Sequence, residues 1–169
     1  PGSVSCSSCA AGKHIAVDSS CRVCPQGFIS TTQNSKVCTR CGLGVKGEFS
    51  HAGDSSCSLC DLGKYQTTPG SCEDCPAGLY ASDKGLKVCT ECDVDTYLAY
   101  TGKSSKADCI SCTRERATAA STGNTNASAC LCKKNLYYAR DDGSCAPCPV
   151  GANCSNRDGL SLSELTALP

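Results

Sequence analysis

Paired cysteines constrain this chain more than any other feature. Its 169 residues include 19 cysteines, and sixteen of these form eight Cys-x-x-Cys pairs. The pairs are Cys6/Cys9, Cys21/Cys24, Cys38/Cys41, Cys57/Cys60, Cys72/Cys75, Cys89/Cys92, Cys109/Cys112 and Cys145/Cys148, and the other three cysteines are Cys130, Cys132 and Cys154. At about a tenth of the chain, cysteine indicates the scaffold of a fold rather than a single site.

The rest of the composition offers little with which to build one central core. The chain has two Phe, six Tyr and no Trp or Met, and it is rich in residue types that favour loops and turns. Such segments bury too little apolar area to offset the entropy lost on folding, so covalent cross-links must supply stability. Because many disulfides persist only in an oxidising compartment, we expect an extracellular or cell-surface location.

Charge and hydrophobicity exclude several functional classes. Sixteen basic residues balance sixteen acidic ones, and neither sign forms a block, so no nucleic-acid partner is expected. No apolar run approaches the length of a membrane span. The two histidines, His14 and His51, lie in different segments without a patterned acid partner, so we predict no catalytic residues, no metal ligands and no cofactor.

The cysteine pairs define repeats at two levels. The intervals between successive pairs hold 11, 13, 15, 11, 13, 16, 17 and 12 residues. The segment from Ser5 aligns with the segment from Ser56, and Cys6, Cys57 and Cys109 begin blocks that lie 51 and then 52 residues apart. We therefore predict repeat blocks at 1–56 and 57–108, a divergent block at 109–154, and a run-out segment with a possible short helix at 155–169.

Each short repeat carries the same turn and aromatic positions. The third residue after a pair is Gly12, Gly27, Gly44, Gly63, Gly78, Asp95, Asn135 or Gly151, with Glu115 as the exception, and these types except Glu tolerate positive φ. An aromatic ring or His follows at His14, Phe28, Tyr65, Tyr80, Tyr97 and Tyr137 and should lie across a disulfide. The fold class predicted is small disulfide-rich repeats, an elongated tandem array of short β-hairpins with little helix.

Cysteine connectivity has two possible schemes. In the first, the second cysteine of each pair bonds the first cysteine of the next, which gives Cys9–Cys21, Cys24–Cys38, Cys41–Cys57, Cys60–Cys72, Cys75–Cys89, Cys92–Cys109, Cys112–Cys130, Cys132–Cys145 and Cys148–Cys154. This neighbour-to-neighbour scheme leaves only Cys6 unpaired in this chain. The second groups two pairs into a crossed knot, which would join Cys9 to Cys24 instead. We favour the first because it also covers the closer Cys130 and Cys132.

Two segments carry a resemblance to a known family, and the resemblance covers nearly the whole chain. Cys-x-x-Cys-Pro-x-Gly-x-aromatic, from Cys72 to Tyr80, resembles the cysteine-rich ephrin-receptor-like repeat, a relative of growth-factor-receptor and tumour-necrosis-factor-receptor modules. The stretch NASACLCKKNLYYARDDGSCAPCP, which begins at Asn126, resembles the distal part of that repeat, with Asn135 in place of the usual Gly. The resemblance implies an extended extracellular array that is a segment of a larger surface protein.

Three functions remain open at this point. The first is a non-catalytic structural or adhesive segment, such as a spacer, surface coat or filament component, whose partners are other extracellular proteins or further copies of the same assembly. The second is a ligand-binding receptor ectodomain, for which the candidate face is the divergent segment Thr113–Arg116 with Tyr137, Tyr138 and Arg140. The third is a zinc-binding protein, because Cys-x-x-Cys pairs also hold zinc.

Two Asn-x-Ser sequons predict glycosylation. Asn126 lies in the longest interval between cysteine pairs, and Asn153 precedes Cys154, which the favoured scheme places in a disulfide. Both asparagines are candidate acceptors if the compartment glycosylates. The acidic turn Asp141–Gly143 lacks the ligand spacing of a known calcium loop, so a solvated turn is expected there.

Overall fold

A computed structural model describes residues 8–167 of the chain. Cys6, Leu168 and Pro169 lie outside the described residues, and so does the prediction that Cys6 has no partner. The side chains of Tyr138 and Ala167 are not described either.

Short antiparallel hairpins make up the fold. Between residues 8 and 167, the structure has nine two-stranded sheets. The paired strands are β1 (Lys13–Ile15) with β2 (Cys21–Val23), β3 (Phe28–Ile29) with β4 (Thr39–Arg40), β5 (Glu48–Phe49) with β6 (Ser58–Leu59), β7 (Lys64–Thr68) with β8 (Ser71–Asp74), β9 (Leu79–Tyr80) with β10 (Thr90–Glu91), β11 (Thr96–Tyr97) with β12 (Ile110–Ser111), β13 (Arg116–Ala117) with β14 (Leu131–Cys132), β15 (Tyr137–Ala139) with β16 (Cys145–Pro147), and β17 (Ala152–Asn153) with β18 (Thr166–Ala167).

A disulfide closes each of nine successive segments. The bonds are Cys9–Cys21, Cys24–Cys38, Cys41–Cys57, Cys60–Cys72, Cys75–Cys89, Cys92–Cys109, Cys112–Cys130, Cys132–Cys145 and Cys148–Cys154. They are the nine bonds of the neighbour-to-neighbour scheme; Cys9 bonds Cys21 and not Cys24. The predicted fold of small disulfide-rich hairpin repeats is confirmed. We number the repeats by these bonds, from repeat 1 (Cys9–Cys21) to repeat 9 (Cys148–Cys154).

In repeats 1, 2, 4, 5 and 6, the residue that turns the chain away from the cysteine pair also closes the hairpin. Its carbonyl accepts the N–H of the second cysteine of the next pair, as in Cys24 to Gly12 at 2.9 Å and Cys75 to Gly63 at 2.8 Å. Positive φ occurs at all but one of the predicted turn positions, namely Gly12, Gly27, Gly63, Gly78, Asp95, Asn135 and Gly151.

The prediction for Gly44 is wrong. Its φ lies outside the positive range, and Gly47 accepts the hairpin-closing bond from the Cys60 N–H at 3.0 Å. Repeat 3 therefore contains three extra residues before the carbonyl that closes its hairpin. These extra residues form a loop in which Leu43 and Val45 are exposed.

Helix is limited to three single 3₁₀ turns in the described part of the chain, at Lys106–Asp108, Ala127–Ala129 and Leu162–Glu164. The tail was predicted to hold one or two helical turns, and it has the last of the three, followed by strand β18. The other two precede Cys109 and Cys130 and were not predicted. Ser105 and Asp108 cap the first of these in a reciprocal capping box.

The chain forms two compact units. The first comprises the described residues up to Cys75 together with Ala81–Cys89, and the second comprises Pro76–Tyr80 with the described residues from Thr90 onward. In both units cysteine is the most frequent buried side chain, and the second unit adds Leu98 and Leu160. Burial is thus spread over the repeats, as the composition predicts. The division into three sequence blocks stays a prediction.

Candidate functional site

Backbone hydrogen bonds from the turn residue join five of the repeats to the next. The N–H of the turn residue donates to a carbonyl of the following repeat, and the pairs are Gly12 to Ser30 (2.8 Å), Gly27 to Ser50 (3.0 Å), Gly63 to Ala81 (3.0 Å), Gly78 to Leu98 (2.8 Å) and Asn135 to Cys154 (2.7 Å). In repeat 6 the Asp95 N–H donates instead to the hydroxyl Oγ1 of Thr118 at 2.9 Å. Because main-chain groups make most of these bonds, side-chain sequence can vary without loss of the junction.

Glycines also bring a repeat into contact with the next but one. Gly12 of repeat 1 approaches Gly53 of repeat 3 so closely that a Cβ on Gly12 would lie 1.9 Å from the Gly53 carbonyl oxygen. In the same way, a Cβ on Gly78 of repeat 5 would lie 2.1 Å from the carbonyl oxygen of Gly123 in repeat 7. A tandem array of small repeats implies contacts mainly between immediate neighbours. The structure adds this second set, which ties three successive repeats together.

Ring side chains pack on the disulfide of the following repeat. Tyr80 of repeat 5, which is 9% exposed, packs with Leu98 and the Cys92–Cys109 disulfide of repeat 6. His14 of repeat 1 places Nδ1 3.3 Å from Sγ of Cys38 in repeat 2. The sequence predicted an aromatic ring across each disulfide. In these two repeats the disulfide that the ring contacts belongs to the neighbour, so the contact joins repeats.

One group of potential metal ligands occurs among the described residues. The ligand atoms of His14, Cys24 and Cys38 lie within 4.8 Å of one another. The two sulfur atoms are joined in a disulfide, however, and zinc binds cysteine as the thiolate. The eighteen described cysteines are all in disulfides, so the zinc-binding alternative lacks its ligands in this state.

His51 has an acidic neighbour that the sequence analysis missed. Its Nδ1 lies 3.6 Å from Oδ2 of Asp54, and the same carboxylate accepts the His51 backbone N–H at 2.7 Å. The prediction that no acid accompanies either histidine is therefore wrong for His51. The histidine side chain is 77% exposed, and an exposed pair of this kind contributes little to stability.

In the proposed receptor face, one arginine bonds the backbone of the protein itself and the other two are exposed. Arg116 donates from Nη1 to the Cys130 carbonyl at 2.8 Å and from Nη2 to the Gly143 carbonyl. Its guanidinium therefore joins repeat 7 to repeat 8 and already has backbone partners. Arg114 and Arg140 are exposed, and Tyr137 is half-buried in strand β15.

We expect Arg116→Met to destabilise the second unit by about 1–3 kcal/mol, because two carbonyls lose a charged donor. The matched control is Arg114→Met, which removes an exposed guanidinium two residues away and should change the free energy of unfolding by less than about 0.5 kcal/mol. Denaturant unfolding with the disulfides intact measures both. Equal losses in the two variants would contradict the joining role of Arg116.

A shallow groove of about 380 Å³ lies beside Arg140 of the proposed receptor face. Its lining is Arg140, Asp141, Asp142 and Leu162. The Ser144 N–H donates to Oδ1 of Asp142 at 2.8 Å, which is the hydrogen bond of an ordinary Asx turn. Asp142 thus closes the hairpin turn before Cys145. This agrees with the solvated turn expected from the sequence.

The two sequons share one local geometry and differ in accessibility. In each, the Asn side-chain oxygen accepts the Ser backbone N–H two residues later at 2.9 Å, from Ser128 to Asn126 and from Ser155 to Asn153. Asn126 is exposed and begins the 3₁₀ turn Ala127–Ala129. Asn153 is half-buried in strand β17 beside the buried Cys154. Asn126 is the more accessible acceptor.

The last 3₁₀ turn contains a strongly acidic group. The Ser161 backbone N–H and hydroxyl and the Arg157 guanidinium all donate to Glu164, and together they lower the pKa of its carboxyl from 4.5 to about 2. A lowered pKa in the folded state means that the ionised carboxylate stabilises this turn above pH 4.5. That contribution is lost as the pH falls from 4.5 towards 2.

We therefore predict that the Ser161 amide proton shift titrates with a midpoint near 2, as measured by NMR. In Glu164→Gln the same amide should show no such transition, because the replacement side chain carries no titratable proton. A midpoint near 4.5 in the unaltered chain would show that the contacts of Glu164 do not persist in solution.

Comparison with known proteins gave no relative: no family model matches the chain, and no curated protein matches its sequence. Within residues 8–167, none of the helical turns has the length or the hydrophobicity that a membrane span requires. The nine intramolecular disulfides indicate an extracellular or secreted protein, because cytosolic reductants keep such thiols reduced.

Proposed function

We propose that this chain is a non-catalytic structural or adhesive segment of an extracellular assembly, such as a spacer, a surface coat or a filament component. The observation that carries the proposal is the double connection between repeats. Disulfides pin successive segments, and at most junctions backbone hydrogen bonds such as Gly12 to Ser30 and Gly78 to Leu98 join one repeat to the next. A repeat array built this way keeps its local structure without a central core.

The use of side chains supports the same proposal. Arg116, the most buried cation of the receptor candidate face, is bonded to two backbone carbonyls rather than presented to solvent. Balanced charge also favours lateral association of copies over attraction to a strongly charged partner. The partners proposed are further copies of the chain or other extracellular proteins.

Electron microscopy of the assembly isolated from its native source tests this function. Ordered polymers or a continuous coat that antibodies to this chain decorate would support it. Isolated monomers that bind one soluble partner at a fixed stoichiometry would contradict it and favour the receptor alternative. For that alternative, Arg140→Ala should weaken the binding of the soluble partner, whereas Arg22→Ala, an exposed arginine in repeat 1, should not.

Family membership is part of the same proposal. The pattern from Cys72 to Tyr80 and the stretch from Asn126 to Pro149 favour an ephrin-receptor-like repeat array within a larger surface glycoprotein. The neighbour-to-neighbour disulfides and the short hairpins fit such modules. N-linked glycosylation at Asn126 would fit the exposure of that residue.

A further inference from the structure

A second groove lies where repeat 6 meets repeat 7. It has a volume of about 340 Å³, and its lining includes Tyr97, Thr113, Arg116, Ala127 and the Cys112–Cys130 disulfide. Tyr97 stands at the aromatic position of repeat 6, and the disulfide belongs to repeat 7. The groove therefore occupies the place where Tyr80 packs on Cys92–Cys109 one repeat earlier. We call it the Tyr97 groove.

A change of one side chain explains why the space is open here. In repeat 6, Leu98 is 1% exposed and packs with Tyr80 and the cysteines. The equivalent residue in repeat 7 is Thr118, whose hydroxyl accepts the Asp95 N–H at 2.9 Å and donates to the Ser121 carbonyl at 2.8 Å. A threonine held in this way is shorter than leucine and turned to polar partners, so Thr118 does not fill the space beside Tyr97 as Leu98 does beside Tyr80.

The groove has the chemistry of a site for a neutral sugar. The ring of Tyr97 is half-buried and offers an apolar surface, while exposed hydroxyl groups of Ser111 and Thr113 lie in its lining. A sugar ring presents a C–H face that can lie on an aromatic ring and hydroxyls that can bond to polar side chains around it. Sites of this kind combine an apolar surface with a few polar groups that fix orientation.

A predicted acceptor for an N-linked sugar, Asn126, lies next to the groove. Ala127, which lines the groove, is the middle residue of the sequon Asn126–Ser128. Consecutive Cα atoms are about 3.8 Å apart, so the acceptor side chain begins at the groove wall. The Oδ1 atom of Asn126 accepts hydrogen bonds from the Ser128 N–H and hydroxyl, and the residue is exposed.

We propose that the first sugar of an N-linked glycan on Asn126 occupies the Tyr97 groove and shields the Cys112–Cys130 disulfide. The inference rests on the proposed extracellular function, because such glycans are added to secreted chains. In the transfer, a bond forms between Nδ2 of Asn126 and the anomeric carbon of the sugar. The bond from that carbon to the pyrophosphate of a lipid-linked donor breaks, and the released pyrophosphate carries the electron pair while the Nδ2 proton passes to a base.

The test uses the whole chain secreted from a host that adds N-linked glycans. Partial reduction with a phosphine, followed by alkylation and peptide mass spectrometry, gives the reduction rate of each disulfide. Compared with Ser128→Ala, which removes the acceptor signal, the glycosylated chain should show Cys112–Cys130 reduced about tenfold more slowly, a ratio equivalent to about 1.4 kcal/mol. Ser128→Thr keeps the sequon and should behave like the unaltered chain. The Cys24–Cys38 bond, in the first unit, is the internal reference and should not change.

Enzymatic trimming separates the first sugar from the rest of the glycan. An endoglycosidase that leaves one sugar on Asn126 should preserve the slow reduction, whereas an amidase that removes the whole glycan should abolish it. Lack of a glycan mass at Asn126 would overturn this inference and leave the structural function standing. A glycan that leaves the Cys112–Cys130 rate unchanged would also overturn it. Failure of the structural function would appear separately, by electron microscopy.

Discussion

Gly78→Ala is expected to destabilise the second unit by about 2–5 kcal/mol, the largest loss that we predict for a single substitution. Gly78 has a φ of +84°, so alanine would pay the strain of a left-handed conformation. Its Cβ would also lie 2.1 Å from the Gly123 carbonyl oxygen, which is backbone and cannot rotate away. Repeats 5 and 7 would have to separate, and the Gly123 N–H would lose the Cys92 carbonyl.

Alanine substitutions at two other glycines distinguish the cost of backbone strain from the cost of the steric clash. Gly151 has a φ of +81° with no atom within 4 Å of an added Cβ, so Gly151→Ala should cost only the strain, about 1–2 kcal/mol. Gly44 has neither a positive φ nor a neighbour within 4 Å, and Gly44→Ala should be neutral or stabilising by up to about 1 kcal/mol. Denaturant unfolding with intact disulfides gives all three values, and equal losses at Gly78 and Gly151 would contradict the contact with Gly123.

Hydrogen exchange locates the damage. In Gly78→Ala, the amides of residue 78 and Gly123 should lose protection, because their acceptors Leu98 and Cys92 belong to the disturbed junction. The amide of Gly27, which donates to Ser50 in the first unit, should keep its protection. Uniform loss across the chain would indicate global unfolding rather than a broken junction.

The sequence predicted what depends on local chemistry. One spacing rule led to the nine disulfide pairs, and the tolerance of Gly, Asn and Asp for positive φ located most of the turns. It failed at Gly44 because three extra residues place the hairpin-closing carbonyl of repeat 3 at Gly47. The 3₁₀ turn at Lys106–Asp108 has a signal in the sequence, since Ser105 and Asp108 form a capping box.

Contacts between distant repeats could not be predicted from local sequence patterns. Gly53, Gly70 and Gly123 carry no local sequence sign of a long-range contact, yet each lies against the backbone of a repeat two positions earlier. Arg116 was read as a ligand-binding candidate because it interrupts the repeat pattern. In the structure its guanidinium donates to the Cys130 and Gly143 carbonyls instead. The sequence could not show this, because the Gly143 carbonyl belongs to repeat 8.

Removal of one disulfide should open the chain locally. We expect the double variant Cys92→Ala, Cys109→Ala to lower the free energy of unfolding of the second unit by about 3–5 kcal/mol. The disulfide no longer closes a loop between cysteines 17 residues apart, and Tyr80 loses the sulfur atoms on which it packs. The double variant Cys148→Ala, Cys154→Ala, with a separation of only six residues, should lose about 2 kcal/mol. Denaturant unfolding compares the two variants.

Hydrogen exchange then tests whether the opening stays local. In the chain without Cys92–Cys109, the amides of Gly78, Leu98 and Gly123 should exchange faster, since each donates at a junction of repeat 6. The Ile15 amide, which donates to Ser35 in repeat 2, should exchange at its original rate because eight other disulfides still pin their own hairpins. Repeats that contact only near neighbours unfold in this stepwise way. Equal acceleration at Ile15 would mean that the chain unfolds as one cooperative body, and a spacer built from such a body would fail as a whole when one bond broke.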